Sequence, residues 1–204
     1  MVHNRTGRCR GRPREFVIED VLDRAVKVFW QKGYEASSLD DLTAAMAINR
    51  PSLYAAFGDK AALFSRCLDR YEETIRAPML LALAEDDVHV AMRRFLEGAA
   101  GVAASAATPT GCLIACALPS LAGSDPALEA RLGRSVAGLE AAVVQRLARA
   151  VRDGQLPGGF PVEDRAAMAA DFVLANALRA RAGTSRDSLA RRVRVCAGAV
   201  LTLP

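Results

Sequence analysis

Between residues 38 and 60 the sequence gathers side chains suited to hydrogen bonding with anions and polar edges: Ser38, Asn49, Arg50, Ser52, Tyr54 and Lys60. A guanidinium carries its N–H donors in a planar fork, which pairs bidentately with phosphate oxygens or with O6 and N7 of guanine. Serine and lysine at helix N-termini meet phosphate where backbone amides already favour it. A second group lies upstream. Arg5, Arg8, Arg10, Arg12 and Arg14 occur with no acidic residue before Glu15. Such an arm can neutralise phosphates, and on charge alone it can equally be a solvated tail.

The chemistry of catalysis is missing. His3 stands in the basic tail and His89 stands alone, and neither belongs to a Ser/His/Asp or paired-carboxylate constellation. The reading is of a protein that is not an enzyme and needs no cofactor. The cysteines Cys9, Cys67, Cys112, Cys116 and Cys196 are odd in number and scattered, which does not suggest a disulfide framework. With two histidines in the chain there is no zinc-like Cys/His spacing, so no metal is expected. The 204 residues are 51% hydrophobic and 25% charged, with a net charge of +4, the range of a soluble globular chain. No apolar run approaches the ~18 residues that cross a bilayer, and the basic N-terminus lacks a signal peptide's apolar stretch. A cytoplasmic location and no membrane partner are expected.

The elements that must position these residues read as helices. Alanine and leucine dominate, and both enter helices at little cost. Ile18, Val21, Leu22, Ala25, Val28 and Phe29 follow a 3.6-residue period, predicting a helix from Glu15 to Lys32 that stops at Gly33. Ser38 and Asp41 have the spacing of a capping box, opening a short helix with Leu39, Leu42 and Met46 inward. Ala47-Ile48-Asn49 is a tight connection. Asn49 is a good N-cap, and Pro51 falls in the first turn of the next helix, where its missing N–H costs nothing. Gly58 ends that helix, and Asp59 caps a longer one from Lys60 to about Ala77. Two short helices joined by so tight a turn form a helix-turn-helix, whose second helix enters the major groove N-terminus first. Further helices are predicted near 85–106, 112–122, 126–153, 162–182 and 186–203, separated by Gly, Pro, Ser and Asp clusters.

From Ala47 to Phe64 the sequence resembles the TetR family: Leu53-Tyr54, two spacers, Phe57, two spacers, Lys60, two spacers, Leu63-Phe64. Gly33-Tyr34, and Ala25 with Phe29, fit as well. The family usually has glycine where Ala47 stands. The resemblance implies an all-α protein: a basic arm (1–14), a three-helix DNA-binding domain with a helix-turn-helix (15–62) and a helical regulatory and dimerisation domain (63–204). It implies a homodimeric repressor on a near-palindromic double-stranded operator, controlled by a small-molecule effector that the sequence does not name. Its DNA-facing set is Ser38, Asn49, Arg50, Pro51, Ser52, Tyr54 and Lys60. Ser38 can also simply cap its helix, and Tyr54 can simply pack. Arg10-Gly11-Arg12-Pro13-Arg14 resembles the core of an AT-hook, which places Arg10 and Arg12 in a narrow A·T minor groove, where the negative potential is enhanced.

In the regulatory half, a pocket between the helices near 85–153 would be lined by Met92, Phe95, Leu96, Leu113, Ile114 and Leu118; the same residues would serve as ordinary core. Gly111-Cys112-Leu113 resembles a motif of the NemR-like, electrophile- and oxidant-sensing branch, which makes Cys112 a candidate sensor. At a helix start, amide dipoles can lower a thiol pKa, whereas a buried cysteine is a small hydrophobe. The helices 162–182 and 186–203 are apolar on more than one face, which calls for burial on more than one side. Met168, Phe172, Val173, Leu189, Val193 and Val200 are the candidate dimer residues, an intramolecular core being the alternative. A DNA-binding redox sensor or architectural protein without a pocket is the competing function.

Overall fold

A computed structural model describes residues 17–121 and 125–202, the side chains of 118–120 excepted. Arg10, Arg12 and the side chain of Leu118 lie outside the described residues. What is described is all helix, with no strand, and no helix among these residues is long and apolar enough to cross a membrane.

The first helix, α1 (Ile18–Lys32), starts after Val17 without a side-chain cap and ends where the Gly33 amide donates to the Phe29 carbonyl. Its buried stripe is Val21, Leu22, Ala25, Val26, Phe29 and Trp30. That stripe is turned slightly from the expected one: Ile18 is exposed and Val28 half-buried, while Val26 and Trp30 take the inner positions. Two short helices follow, α2 (Leu39–Met46) and α3 (Arg50–Phe57), then α4 (Lys60–Tyr71). Each start is capped by its own side chain. Ser38 accepts from the Asp41 amide while Asp41 accepts from Ser38, Asn49 accepts from the Ser52 amide, and Asp59 accepts from the Ala62 amide.

The turn between α2 and α3 depends on one backbone conformation. Ala47 sits at φ 55° and ψ 38°, the left-handed region. There the Ala47 and Ile48 amides reach back to Ala44 and Thr43, which reverses the chain within three residues.

Beyond Tyr71 the chain stays helical where an end near Ala77 was expected. A π-helical stretch (Glu72–Arg76) leads into α5 (Ala77–Leu80) and a 3₁₀ turn (Leu81–Ala84). Pro78 explains the widening: it cannot donate to the Thr74 carbonyl and its ring crowds that group, so the helix opens by a residue just ahead of it. The remaining helices are α6 (Val88–Ala103), α7 (Leu113–Leu121), α8 (Pro126–Arg152), α9 (Val162–Arg181) and α10 (Arg186–Leu201).

Two principal cores result. One holds Phe29, Trp30, Leu42, Met46, Leu53, Leu63, Phe64 and Tyr71, and it continues into Leu113 and Ile114 of α7 and Leu128 and Leu132 of α8. The expected boundary after residue 62 therefore falls inside a shared core. The other unites α6, α8, α9 and α10. Burial within the chain takes up three of the expected dimer residues. Val193 and Val200 belong to this second core, and Leu189 belongs to a smaller cluster with Ala103, Ala115, Ala177 and Ala180, because α10 turns that stripe toward its own chain. Met168, Phe172 and Val173 are half-buried. The large apolar side chains left outward on these two helices are Leu178, 49% exposed, and Val195, 74% exposed.

Alanine at a left-handed position is strained by roughly 1–2 kcal/mol, partly offset by glycine's larger entropy loss. Ala47→Gly is expected to raise stability by about 1 kcal/mol, read as a higher urea midpoint at unchanged slope. A lower midpoint would show that the turn tolerates the alanine without strain.

Candidate nucleic-acid interface and the cavity behind it

On α3 the inward residues are Leu53 and Phe57, both buried. Their burial turns Arg50, Pro51, Tyr54 and Ala55 outward as one exposed face, with Tyr54 50% exposed. Ala55 keeps that face slim. Ser52 is half-buried beside the Asn49 cap.

The cations of this surface are held. Arg50 donates from Nε (3.1 Å) and Nη2 (2.7 Å) to one carboxylate oxygen of Asp40 in the first turn of α2. Lys60 donates to the Glu35 carbonyl at 3.3 Å and lies 4.5 Å above the Tyr34 ring. The starts of α3 and α4 are thereby tied to the segment that opens α2, so three helix N-termini are gathered in one neighbourhood. Each presents the positive end of a helix dipole, which favours anions. Asp41 stays ionised there. Hydrogen bonding to Lys32 and Ser38 lowers its pKa to about 2, and the Lys32 ion pair spans 2.7 Å. At the far end of α4, Arg70 clamps Asp23 of α1 through two hydrogen bonds of 2.7 and 3.0 Å.

Behind this surface lies a mostly apolar cavity of about 50 Å³ between α4 with its π-helical extension, α6, α7, α8 and α9. Ile75, Met79, Val102, Ile114, Val136 and Leu139 give it its apolar character, and Tyr71, Arg76, Cys112 and Ser135 contribute the polar atoms. Of the residues expected in a pocket, Ile114 and Cys112 reach this wall. Met92, Phe95, Leu96 and Leu113 do not: all are fully buried in the cores, because α6 turns that face toward α8 and α10 and Leu113 joins the first core. Val173, expected at a subunit interface, lines the cavity.

Cys112 immediately precedes α7, where Gly111 at φ 93° turns the chain. A side chain at that glycine would press on the Ala177 carbonyl and the Cys116 sulfur, at 3.1 and 3.2 Å. The Tyr71 hydroxyl donates to Cys112 Sγ at 3.3 Å. Cys112 and Cys116 are half-buried. Cys67 and Cys196 are buried, which pushes both thiols up, Cys196 to about 11.

Two links tie α1 to the helices around the cavity. The Tyr71 ring meets Trp30 edge-on with centroids 5.1 Å apart. Arg181, at the end of α9, donates to the Trp30 carbonyl at 3.0 Å and also to that of Gln31. Sequence reasoning missed Asp40, Tyr71, Arg76, Ser135 and Arg181. Tyr71 is hidden as one more member of a helical apolar stripe, and the others show their roles only through partners distant in sequence.

Residues 21–67 match the family model of bacterial regulatory proteins, tetR family. The chain is 34% identical over 188 residues to the HTH-type transcriptional repressor ComR of Escherichia coli, covering 89% of this chain and 88% of ComR. It is 45% identical over 86 residues to the HTH-type transcriptional repressor BdcR of the same organism, covering 42% and 44% of the two chains. Among solved structures it is similar to a cysteine mutant of the TetR family transcriptional regulator CifR complexed with 26-bp double-strand operator DNA. That match has 30% identity and a TM-score of 0.85 over 92% of this chain and 99% of the other. The reduced form of E. coli NemR, at 16% identity, shares the fold with a TM-score of 0.79 over 91% and 97%.

Proposed function

The chain belongs to the TetR family of transcriptional regulators, and from that premise we propose how it works as a repressor. A homodimer holds a near-palindromic operator through α3 and releases it when the cavity behind the DNA-binding helices changes state. It is a regulator and not an enzyme, and it acts in the cytoplasm where its operator is.

The observation that carries this reading is the outward face of α3. Arg50 leads that face in the first helical turn, where a recognition helix enters the major groove. Its guanidinium, paired with Asp40 in the free chain, reads a guanine edge. Tyr54 and Ser52 contact the adjacent backbone. Ser38, Asn49, Pro51 and Lys60 seat phosphates around the gathered helix starts, and Arg10 and Arg12 lie along the neighbouring minor groove. Two chains meet through the outward faces of α9 and α10, with Met168, Phe172, Leu178 and Val195 at the contact. That arrangement sets two α3 helices about one DNA turn, ~34–36 Å, or a multiple of it, apart.

The effector is a small molecule in the cavity. A second reading, covalent modification of Cys112 by an electrophile or oxidant, is favoured by one observation: its sulfur lies in the cavity wall within hydrogen-bonding distance of Tyr71. An adduct there would push on Tyr71, and through it on Trp30 and α1.

Arg50→Ala is expected to weaken binding to an operator selected from random duplex by roughly 1–3 kcal/mol while sparing non-specific DNA. Lys60→Ala is expected to weaken all duplex alike and to shallow the salt slope by about one. Equal loss of specific and non-specific binding in the Arg50 variant would remove that residue from base reading. For the second reading, N-ethylmaleimide is expected to release wild-type protein from the operator and to leave Cys112→Ser bound. Equal release of both, or of neither, would reduce Cys112 to a wall residue.

A further inference from the structure

Arg76 is the oddest member of the cavity wall. It belongs both to the mostly apolar cavity and to an open groove of about 470 Å³ on the other side of it, and Ser135 does the same. The two spaces therefore meet at this pair. The groove is framed by Glu72, Glu73, Arg131 and Arg134, so it is wet and charged where the cavity is greasy.

The guanidinium of Arg76 is poorly satisfied. Its side chain is 11% exposed, and its carboxylate partner Glu72 stands 3.6 Å away, beyond hydrogen-bonding distance. None of its N–H groups makes a hydrogen bond among the described residues. Glu72 is divided among competitors, because one of its oxygens also takes the Ser135 hydroxyl and the other lies 3.8 Å from Arg131. Burial accordingly lowers the Arg76 pKa. A largely buried cation whose carboxylate partner Glu72 stands beyond hydrogen-bonding distance favours any carboxylate that can reach it, since hydrogen bonds to charged groups strengthen away from water.

The backbone around it leaves room. Arg76 ends the π-helical stretch, a local widening often found where helices serve a ligand. Opposite it on α8 stands Gly138, where an added Cβ would sit 3.4 Å from Arg76 Nη2.

We infer that the cavity takes a small amphiphilic monoanion, a short apolar body carrying one carboxylate, which passes in from the groove between the π-helical stretch and α8 and pairs with Arg76 in place of Glu72. The apolar body lies against Ile75, Val102 and Leu139, and the carboxylate remains at the Arg76–Ser135 boundary. A neutral molecule of the same shape gains the apolar contacts alone. An amine meets the guanidinium's like charge. This inference rests on the reading of the cavity as the effector site.

Hexanoate, hexanol and hexylamine form a matched set of probes for the intact dimer. Binding is followed by calorimetry and by emission from Trp30, the single tryptophan of the chain, whose ring touches Tyr71 of the cavity wall. Hexanoate is expected to bind saturably and at least about tenfold more tightly than hexanol, with hexylamine not binding. Arg76→Gln is expected to bring hexanoate down to the affinity of hexanol and to leave hexanol unchanged. Gly138→Ala, which crowds the guanidinium without removing it, is expected to weaken hexanoate selectively and keeps the test open if the glutamine variant does not fold. Hexanol binding as tightly as hexanoate, indifference of hexanoate to both variants, or no binding by any probe would overturn the inference. Operator release is scored separately. Hexanoate that binds through Arg76 yet leaves the operator complex intact would sink the effector reading and keep the ligand class.

Discussion

Tyr71 is the side chain on which the rest of the structure turns. Its ring is buried edge-on against Trp30 of α1, and its hydroxyl donates to the sulfur of Cys112 at the head of α7. The same residue closes the cavity wall. Edge-to-face aromatic pairs hold a preferred geometry as well as buried area. The helix α4 carries Tyr71 and also supplies Leu63 and Phe64 to the core that holds α2 and α3. Arg181 provides a parallel link by holding the carbonyl end of α1 to α9. The core beneath the outward helices continues into α7 and α8, so the DNA-facing half is packed directly on the half that holds the cavity.

The outward face is built by local chemistry. Caps at Ser38, Asn49 and Asp59 fix where three helices begin, and the left-handed Ala47 fixes how two of them turn. With Leu53 and Phe57 committed inward, the direction of Arg50 follows from helical geometry, and its guanidinium pairs with Asp40. An exposed ion pair of this kind contributes little to stability.

Much of this was legible in advance because it is local. The capping box at Ser38 and Asp41, the N-caps, the tight connection at Ala47-Ile48-Asn49 and the helical succession all arise from residues within a few positions of one another. What could not be read depended on tertiary partners. Leu189, Val193 and Val200 form an apolar stripe that fits a subunit interface or a core equally well, and only the placement of the neighbouring helices buries it within the chain. Met92, Phe95 and Leu96 likewise differ from true cavity residues only in the direction α6 turns. Arg76 reads as a surface charge until a proline-induced π-helical widening places it in a cavity wall.

In the proposed switch, filling of the cavity is sensed by the DNA-facing helices through Tyr71 and Trp30. It can be tested without knowing the effector. Val102 lines the cavity from α6 and packs against the first core, so Val102→Phe places permanent bulk where an effector would sit. Overpacking of this sort costs about 1–3 kcal/mol and leaves a helical protein to measure. Operator affinity of the folded, dimeric variant, read by fluorescence anisotropy, is predicted to fall by about tenfold or more while non-specific DNA binding holds. Wild-type operator affinity in that variant would contradict the account.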